Sequence, residues 1–395
     1  MHQEATFGTA LASTAEQGRN RTAASFLFLV NGIGFGTWAA LIPSIKQKFA
    51  LTESTLGLVL LTLAMGAMIS MSLIGRILAR YGSRTVLRWL APAYCIALAL
   101  IPLAPNLGVL FATGLLFGAF KGSFDVSGNS QAITIQSRRA TPIMSNLQAL
   151  WSLGGLVAAG IVGIALRQGA EPVKITIGVA TVLLIISLLF SPHLAGGDAS
   201  VSKPRGGFNM PDARLVKIGV LAFLVLFAEG AMMDWSSEYA KSVSGAAEWL
   251  APFAFGTFSL SMATGRLLGD RVIARHGGLT VLRASGVLLF IGLLLVVSLQ
   301  VWPLTFIGLA FAGLGLANLV PVMLSAAGRA HKHSVAQGVA TASVIGYFGF
   351  LVGPPIIGGL SHWIGLPGAF GLVLLFALLI ALPGPAILRS ASHDQ

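Results

Sequence analysis

The sequence repeats itself once, at half its length. Residues 77–88 read ILARYGSRTVLR, and residues 272–283 read VIARHGGLTVLR. Ala79, Arg80, Gly82, Thr85, Val86, Leu87 and Arg88 return as Ala274, Arg275, Gly277, Thr280, Val281, Leu282 and Arg283, an offset of 195 in a chain of 395 residues. A match at this period points to a duplicated unit. Each copy is a basic turn between two long apolar runs. Such a turn is costly in hydrocarbon and at home beside anionic headgroups.

Apolar runs of about 20 residues recur from end to end, each long enough to cross a bilayer as a helix. Hydrophobic residues make up 55% of the chain and charged residues 10%. The expected fold is therefore all-α and polytopic, with 12 transmembrane helices. A linker at 192–213, rich in Gly, Ser, Pro and charge, divides them into two six-helix bundles, 23–191 and 214–388. Residues 1–22 and 389–395 read as polar tails. The start of the chain lacks the basic, apolar and small-residue pattern of a signal peptide.

The net charge of +12 could suggest nucleic acid, but its distribution points elsewhere. With both termini placed in the cytoplasm, Lys46, Lys48, Arg167, Lys174 and Lys241 fall on the far side and Lys121 inside a helix. The remaining 19 of the 25 basic residues, Arg266 among them, fall on the cytoplasmic side. That bias is the positive-inside pattern, and it accounts for the charge without nucleic acid. The lone Cys95 lies in an apolar run, so neither a disulfide framework nor a thiolate metal site is expected. No G-x-x-x-x-G-K-[ST] occurs, which argues against an ATP-driven pump.

Two parallel six-helix halves, a basic linker and both termini inside resemble the major facilitator superfamily. Its signature loop, G-x-L-a-D-r-x-G-r-k, corresponds here to Gly75, Arg76, Arg80, Gly82 and Arg84 with their neighbours. The usual Asp is Ala79 and the usual second Arg is Ser83. The resemblance implies that the missing Asp would have latched the cytoplasmic ends of the halves. Asp270, beside Arg271, is the candidate substitute. Further runs, namely Phe227-Ala228-Glu229-Gly230, Asp234-Trp235, VLRAS at 281–285, and Gly346-Tyr347 followed by FLVGPP at 350–355, are similar to the YbjJ-type branch of bacterial inner-membrane proteins. The resemblance implies a multi-pass transporter of the bacterial inner membrane, acting on a small molecule, with no cofactor and working as a monomer.

Polar residues at membrane depth are the candidates for function, because an ionisable group there needs a partner or a wet cavity. Lys121, Asp125 and Asn129 are spaced i, i+4, i+8 on the fourth segment, so they share a face and Lys121 can reach Asp125. They form either a cavity-lining stripe or a structural ion pair. The resemblance favours the cavity, since the first, fourth, seventh and tenth helices line it in the superfamily. Glu229 lies midway along the seventh segment with no basic residue within a turn. It is read as a proton-coupling group, with Lys121 and Asp125 next. The alternative is a permanently neutral Glu bonded within the bundle. Asp234 and Trp235 lie nearer the outer end, where Asp234 is read as a rim hydrogen-bonding residue that meets substrate or as an outer-gate element. Trp38 lies 197 residues before Trp235, making a symmetric pair that serves as gate or interfacial belt. Asn31 begins a G-x-G-x-G run whose place inside an apolar helix suits close packing better than dinucleotide binding. Gln148, Trp151 and Tyr347 suit a sugar or another polar ring, or ordinary packing. Asn318 and Pro321 mark an expected break in the tenth segment, where freed backbone groups could face the cavity.

The leading expectation is a secondary active transporter for a small polar, sugar-like solute, working by alternating access and coupled to protons. Export of amphiphilic or cationic compounds is the alternative within transport. A transporter-fold sensor or assembly protein is the alternative outside it. No nucleophile–base or metal set supports an enzyme. Fusions of a topology reporter within 192–213 are expected to score as cytoplasmic, and an extracellular score would overturn the orientation.

Overall fold

The computed structural model describes residues 2–138, 143–196, 213–330 and 335–392. These residues are helical, with no strand among them. Twelve α-helices follow in order: α1 (His2–Lys48), α2 (Glu53–Leu100), α3 (Leu107–Ser137), α4 (Met144–Arg167), α5 (Pro172–Phe190), α6 (Ala213–Ser242), α7 (Pro252–His276), α8 (Gly278–Leu299), α9 (Trp302–Leu316), α10 (Leu319–Ala330), α11 (Val335–Ala381) and α12 (Gly384–Ser392). Nine stretches among the described residues are long and apolar enough to cross a membrane. The protein is therefore a multi-pass, all-helical membrane protein. Helix α7 is not one of the nine. It carries Arg266, Asp270, Arg271 and Arg275, which dilute its apolar run.

The helix ends have local causes. Thr52 caps α2 by accepting the N–H of Thr55, and Asn106 caps α3 by accepting that of Val109. Pro172 and Pro252 start α5 and α7, where a missing N–H is harmless. Helix α2 runs for 48 residues but turns sharply at Gly82, and α11 turns likewise at Gly365.

The duplication reaches the backbone. Gly82 has φ 75° and ψ 155°, and Gly277, 195 residues later, has φ 77° and ψ 153°. Gly169 and Gly365, 196 apart, take φ 79° and 71°. Ala50 and Gly245, again 195 apart, take φ 49° and 71°. Every positive-φ glycine among the described residues belongs to one of these pairs. Matched left-handed corners at one fixed offset are what two copies of a unit would leave.

Two expectations change. Residues 2–22, read as a tail, continue α1 as helix, consistent with their alanine, glutamate and glutamine content. Trp38 and Trp235 are 1% and 0% exposed, so they form no interfacial belt. Trp38 packs near Phe117 and borders a small apolar recess with Leu41, Leu98 and Pro172. Most of the 192–213 linker lies outside the described residues.

Across the middle, α1 packs on α6, α4 on α7 and α2 on α11. Helices α1 and α6 are the most enclosed. The G-x-G-x-G run lets α1 approach α4: a Cβ on Gly32 would sit 2.1 Å from the Trp151 carbonyl oxygen. Gly82→Ala and Gly277→Ala are each expected to cost about 1–3 kcal/mol, because an L side chain is strained at that backbone conformation. Gly160, with open space around it, is the control. Thermal unfolding in detergent checks this, with Gly160→Ala expected to leave the midpoint unchanged or raised.

Candidate functional site

The polar residues of α1, α3 and α4 converge on one cluster. Lys121 and Asp125 on α3 form an ion pair, as their spacing predicts. Asp125 also accepts a hydrogen bond from the Asn31 side chain of α1 at 2.8 Å. The Asn31 carbonyl oxygen of the side chain in turn accepts from the Trp151 indole N–H at 3.3 Å. The buried Tyr94 hydroxyl donates to the Asn31 backbone at 2.9 Å and fixes this turn of α1. One turn along, Gln148 donates to Asn129 at 3.2 Å. Lys121 lies 5.3 Å from the ring centres of both Phe35 and Trp151, within cation–π range. Thus Asn31, Lys121, Asp125, Asn129, Gln148 and Trp151 are brought together.

Glu229 joins from α6, but not alone. Arg266 of α7 donates to it at 3.1 Å. The other guanidinium nitrogen donates to Ser152 of α4 at 3.0 Å, so one side chain ties the two parts of the chain together. The Arg266 guanidinium also lies 5.9 Å from the Trp151 ring centre. The indole therefore has a cation from each half of the chain beside it.

This corrects two expectations. Glu229 has a cation, supplied by a different helix, and Lys121 is not the sole cation at depth. Arg266 had been assigned to a cytoplasmic helix end. Helix α7 continues ten residues beyond it to His276, about 15 Å at 1.5 Å per residue. The signal available in the sequence was this distance from the basic corner at 275–277. Counting Arg266, the ionised groups Lys121, Arg266, Asp125, Glu229 and Asp234 sum to −1.

The remaining candidates form no hydrogen bond or ion pair with the cluster among the described residues. Asp234 is 6% exposed and makes no hydrogen bond or ion pair among the described residues. Asn318 sits in the break between α9 and α10, as expected there, but its amide donates to the Gly265 carbonyl of α7 at 3.1 Å. It closes a helix contact instead of facing the cluster. Tyr347 on α11 is half exposed and makes no hydrogen bond among the described residues, but its hydroxyl lies within electrostatic reach of both Asp125 and Glu229, so it borders the cluster. The signature-loop residues form none of the cluster's hydrogen bonds or ion pairs among the described residues. Gly82 forms the corner, and Arg84 donates to the Pro192 carbonyl at 2.8 Å. Ser83, at the position of the missing Arg, bonds Gln131 of α3. Asp270 accepts from Ser145 of α4 at 3.0 Å, a link across the halves at the end near the chain termini.

A second polar group sits at the opposite, distal end. Lys46 of α1 bridges Glu53 of α2 at 2.7 Å and Glu238 of α6 at 2.6 Å. Lys241 of α6 returns the link, donating to Gln47 of α1 at 3.0 Å. Ser54 donates to the Gly358 carbonyl of α11 at 3.3 Å. The distal ends of the halves are thus bound together. None of this was visible in sequence spacing, because 192 residues separate Lys46 from Glu238.

With this geometry in place, comparisons with known proteins agree on one family. Residues 24–278 match the model of the Major Facilitator Superfamily. An uncharacterized MFS-type transporter of Yersinia pestis is 32% identical, over 92% of this chain and 94% of its own. The membrane protein MosC of Rhizobium meliloti is also 32% identical, over 91% of this chain and 88% of its own. In three dimensions, the nucleoside transporter NupG superposes with a TM-score of 0.72 at 13% identity, covering 93% of this chain and 98% of that one.

A double-mutant cycle tests the pair on α3. Lys121→Met or Asp125→Leu alone strands a partner, while the double variant strands neither. We expect a coupling of about 0.5–3 kcal/mol in unfolding free energy. A coupling of zero would mean the two charges are independently solvated.

Proposed function

The chain belongs to the major facilitator superfamily, and on that premise we propose a proton-coupled secondary transporter of a small polar solute in a bacterial inner membrane. The proposal takes the chain as 12 crossings in two six-helix bundles, 23–191 and 214–388. Both termini are cytoplasmic and the monomer is the working unit. What carries it is the single cluster in which Asn31, Lys121, Asp125, Gln148 and Trp151 face Arg266 and Glu229 from the other half. Solute bound there touches both halves, which is what rocking of one bundle on the other requires.

The lining favours a neutral, hydroxyl-bearing ring. Trp151 offers a flat apolar face. Asn31, Asn129 and Gln148 offer paired donors and acceptors, and Asp125 accepts from hydroxyls. The four ionised groups of the cluster, Lys121, Asp125, Glu229 and Arg266, cancel, so a net anion or cation gains little. Export of an amphiphilic cation, the other transport reading, would want an excess of carboxylate or a wide apolar wall at the cluster.

Glu229 is the proposed coupling group, with Arg266 its partner. A proton on Glu229 ends the ion pair and frees one arm of Arg266, while the other stays on Ser152. The free arm can then donate to a solute hydroxyl. Lys121 and Asp125 are the second proposed coupling pair. The chain of events links proton to solute through one guanidinium.

Proteoliposomes test this. Purified protein is expected to accumulate its solute when the bath is acid relative to the lumen. Glu229→Gln is expected to retain solute exchange down a gradient and to lose accumulation driven by pH. Full accumulation by that variant would move the coupling role to Asp125. Absence of uptake for every polyhydroxylated ring offered would reject the solute class.

A further inference from the structure

Asp234 is the one membrane-depth carboxylate that the central cluster does not absorb. It is four residues before Glu238 on α6, so the two share a face, with Asp234 one turn deeper. Glu238 marks where that face points. It meets Lys46 of α1 at 2.6 Å, across the contact between halves. Asp234 therefore lies one turn behind the distal bridge, 6% exposed and with no hydrogen bond or ion pair among the described residues. Ser237, three residues on, is buried, and its hydroxyl is also without a partner.

We propose that Asp234 is a second proton-binding site, separate from the central cluster, and that the distal end of the protein closes only when this carboxyl carries a proton. The inference rests on the alternating-access reading above. A bare carboxylate without a partner at membrane depth is strongly disfavoured, whereas a neutral carboxylic acid one turn from a free hydroxyl costs far less. A metal cation is a poorer occupant. Hard cations take about six or more oxygens, and Asp234 and Ser237 offer two side chains.

The surrounding charges do not supply a counter-ion. Among the described side chains, the charged and titratable groups on elements packed against α6 are Glu16, Arg19, Arg21, Lys46 and Lys48 on α1, Arg266, Asp270, Arg271, Arg275 and His276 on α7, Arg329 on α10, and Tyr347 and His362 on α11; those of α9 and α12 include none. Of the cations near α6, Lys46 is held by Glu53 and Glu238, and Arg266 by Glu229 and Ser152. On α6 itself Glu238 and Glu229 are paired, and Lys241 is on Gln47 and Glu248.

The cycle at this site is simple. When the distal ends part, Asp234 meets water and loses its proton there. When they close, it must take the proton back. The proton enters and leaves on the same side, so it does not drive transport. It makes closure depend on the pH of the medium at that end. Closure takes up a proton, so each rise of one pH unit weakens it by up to about tenfold. Below the ordinary range of an aspartic acid, about 3.9, the dependence flattens because both states are protonated.

The test reads the opening of the distal end directly. Spin labels at Gln168→Cys and Gln300→Cys, both exposed and in different halves, report the distance across that end in Cys95→Ser protein in nanodiscs. Lys46→Gln is added as a second background, since it weakens closure and populates the open state. From about pH 5 to about pH 8, parent protein is expected to shift from the short to the long distance. Asp234→Asn is expected to stay short and pH-independent, and Asp234→Glu to keep the dependence. The inference is overturned if Asp234→Asn shifts with pH like its parent, or if the parent does not shift at all. It is equally overturned if sodium at fixed pH produces the closure. A single distance in every variant and background would instead reject alternating access.

Discussion

A charge inside hydrocarbon must be paired or wet, and this constraint sets the arrangement of the polar residues. Lys121 is paired along its own helix. Glu229 is paired between neighbouring helices by Arg266. Lys46 is paired between halves. Each pair closes a longer sequence distance than the one before, 4 residues, then 37, then 192. The apolar faces tell helices to stay in the bilayer. The ion pairs tell them which neighbour to keep, because helix burial alone gives little selectivity where lipid is as apolar as leucine.

The same ladder of distances explains what the sequence could reveal. Period, charge bias and run length are local or repeated, and they led to an all-helical, duplicated membrane protein of the right superfamily. The Lys121–Asp125 pair was legible because i, i+4 contacts need no tertiary information. Arg266 was not. Its role depends on how far α7 extends beyond it and on which helix lies alongside, and neither is written within a few residues of it. Trp38 and Trp235 were legible as a symmetric pair but not as core residues. Symmetry fixes that two residues are equivalent without saying what they touch. The isolated-carboxyl reading of Glu229 failed for a related reason: a search within one turn finds only partners on the same helix.

Duplication and function part ways in an informative manner. The backbone corners at Gly82 and Gly277 match within a few degrees. The side chains of the cluster do not repeat. Asn31, Lys121, Asp125, Asn129, Gln148 and Trp151 come from the first half, whereas Glu229 and Arg266 come from the second. The positions 195 residues after Lys121, Asp125 and Asn129 are Leu316, Val320 and Leu324. A structural ion pair needed by the fold itself would be needed twice. One that exists in a single copy is better accounted for by something that is itself asymmetric, and a bound solute is such a thing.

The distal bridge adds an energetic reason why such a molecule can move. Lys46 is shared between Glu53, on the adjacent helix of its own half, and Glu238, on the other half. Parting the halves removes only the second contact. Lys46 keeps Glu53, and Glu238 gains water in exchange for the ammonium. Neither charge is stranded in a dry place, so the several-kcal/mol penalty of breaking a buried pair is avoided. A lone Lys46–Glu238 pair would hold the end shut more rigidly, and opening it would leave a bare ammonium at the membrane edge. A third member converts a clamp into a latch: tight enough to order the closed state, with a partner in reserve for the open one. Asp234 has water in the proposed open state but no partner among the described residues in the closed one. That is why a proton, the smallest and most mobile counter-charge available, is the partner its position calls for.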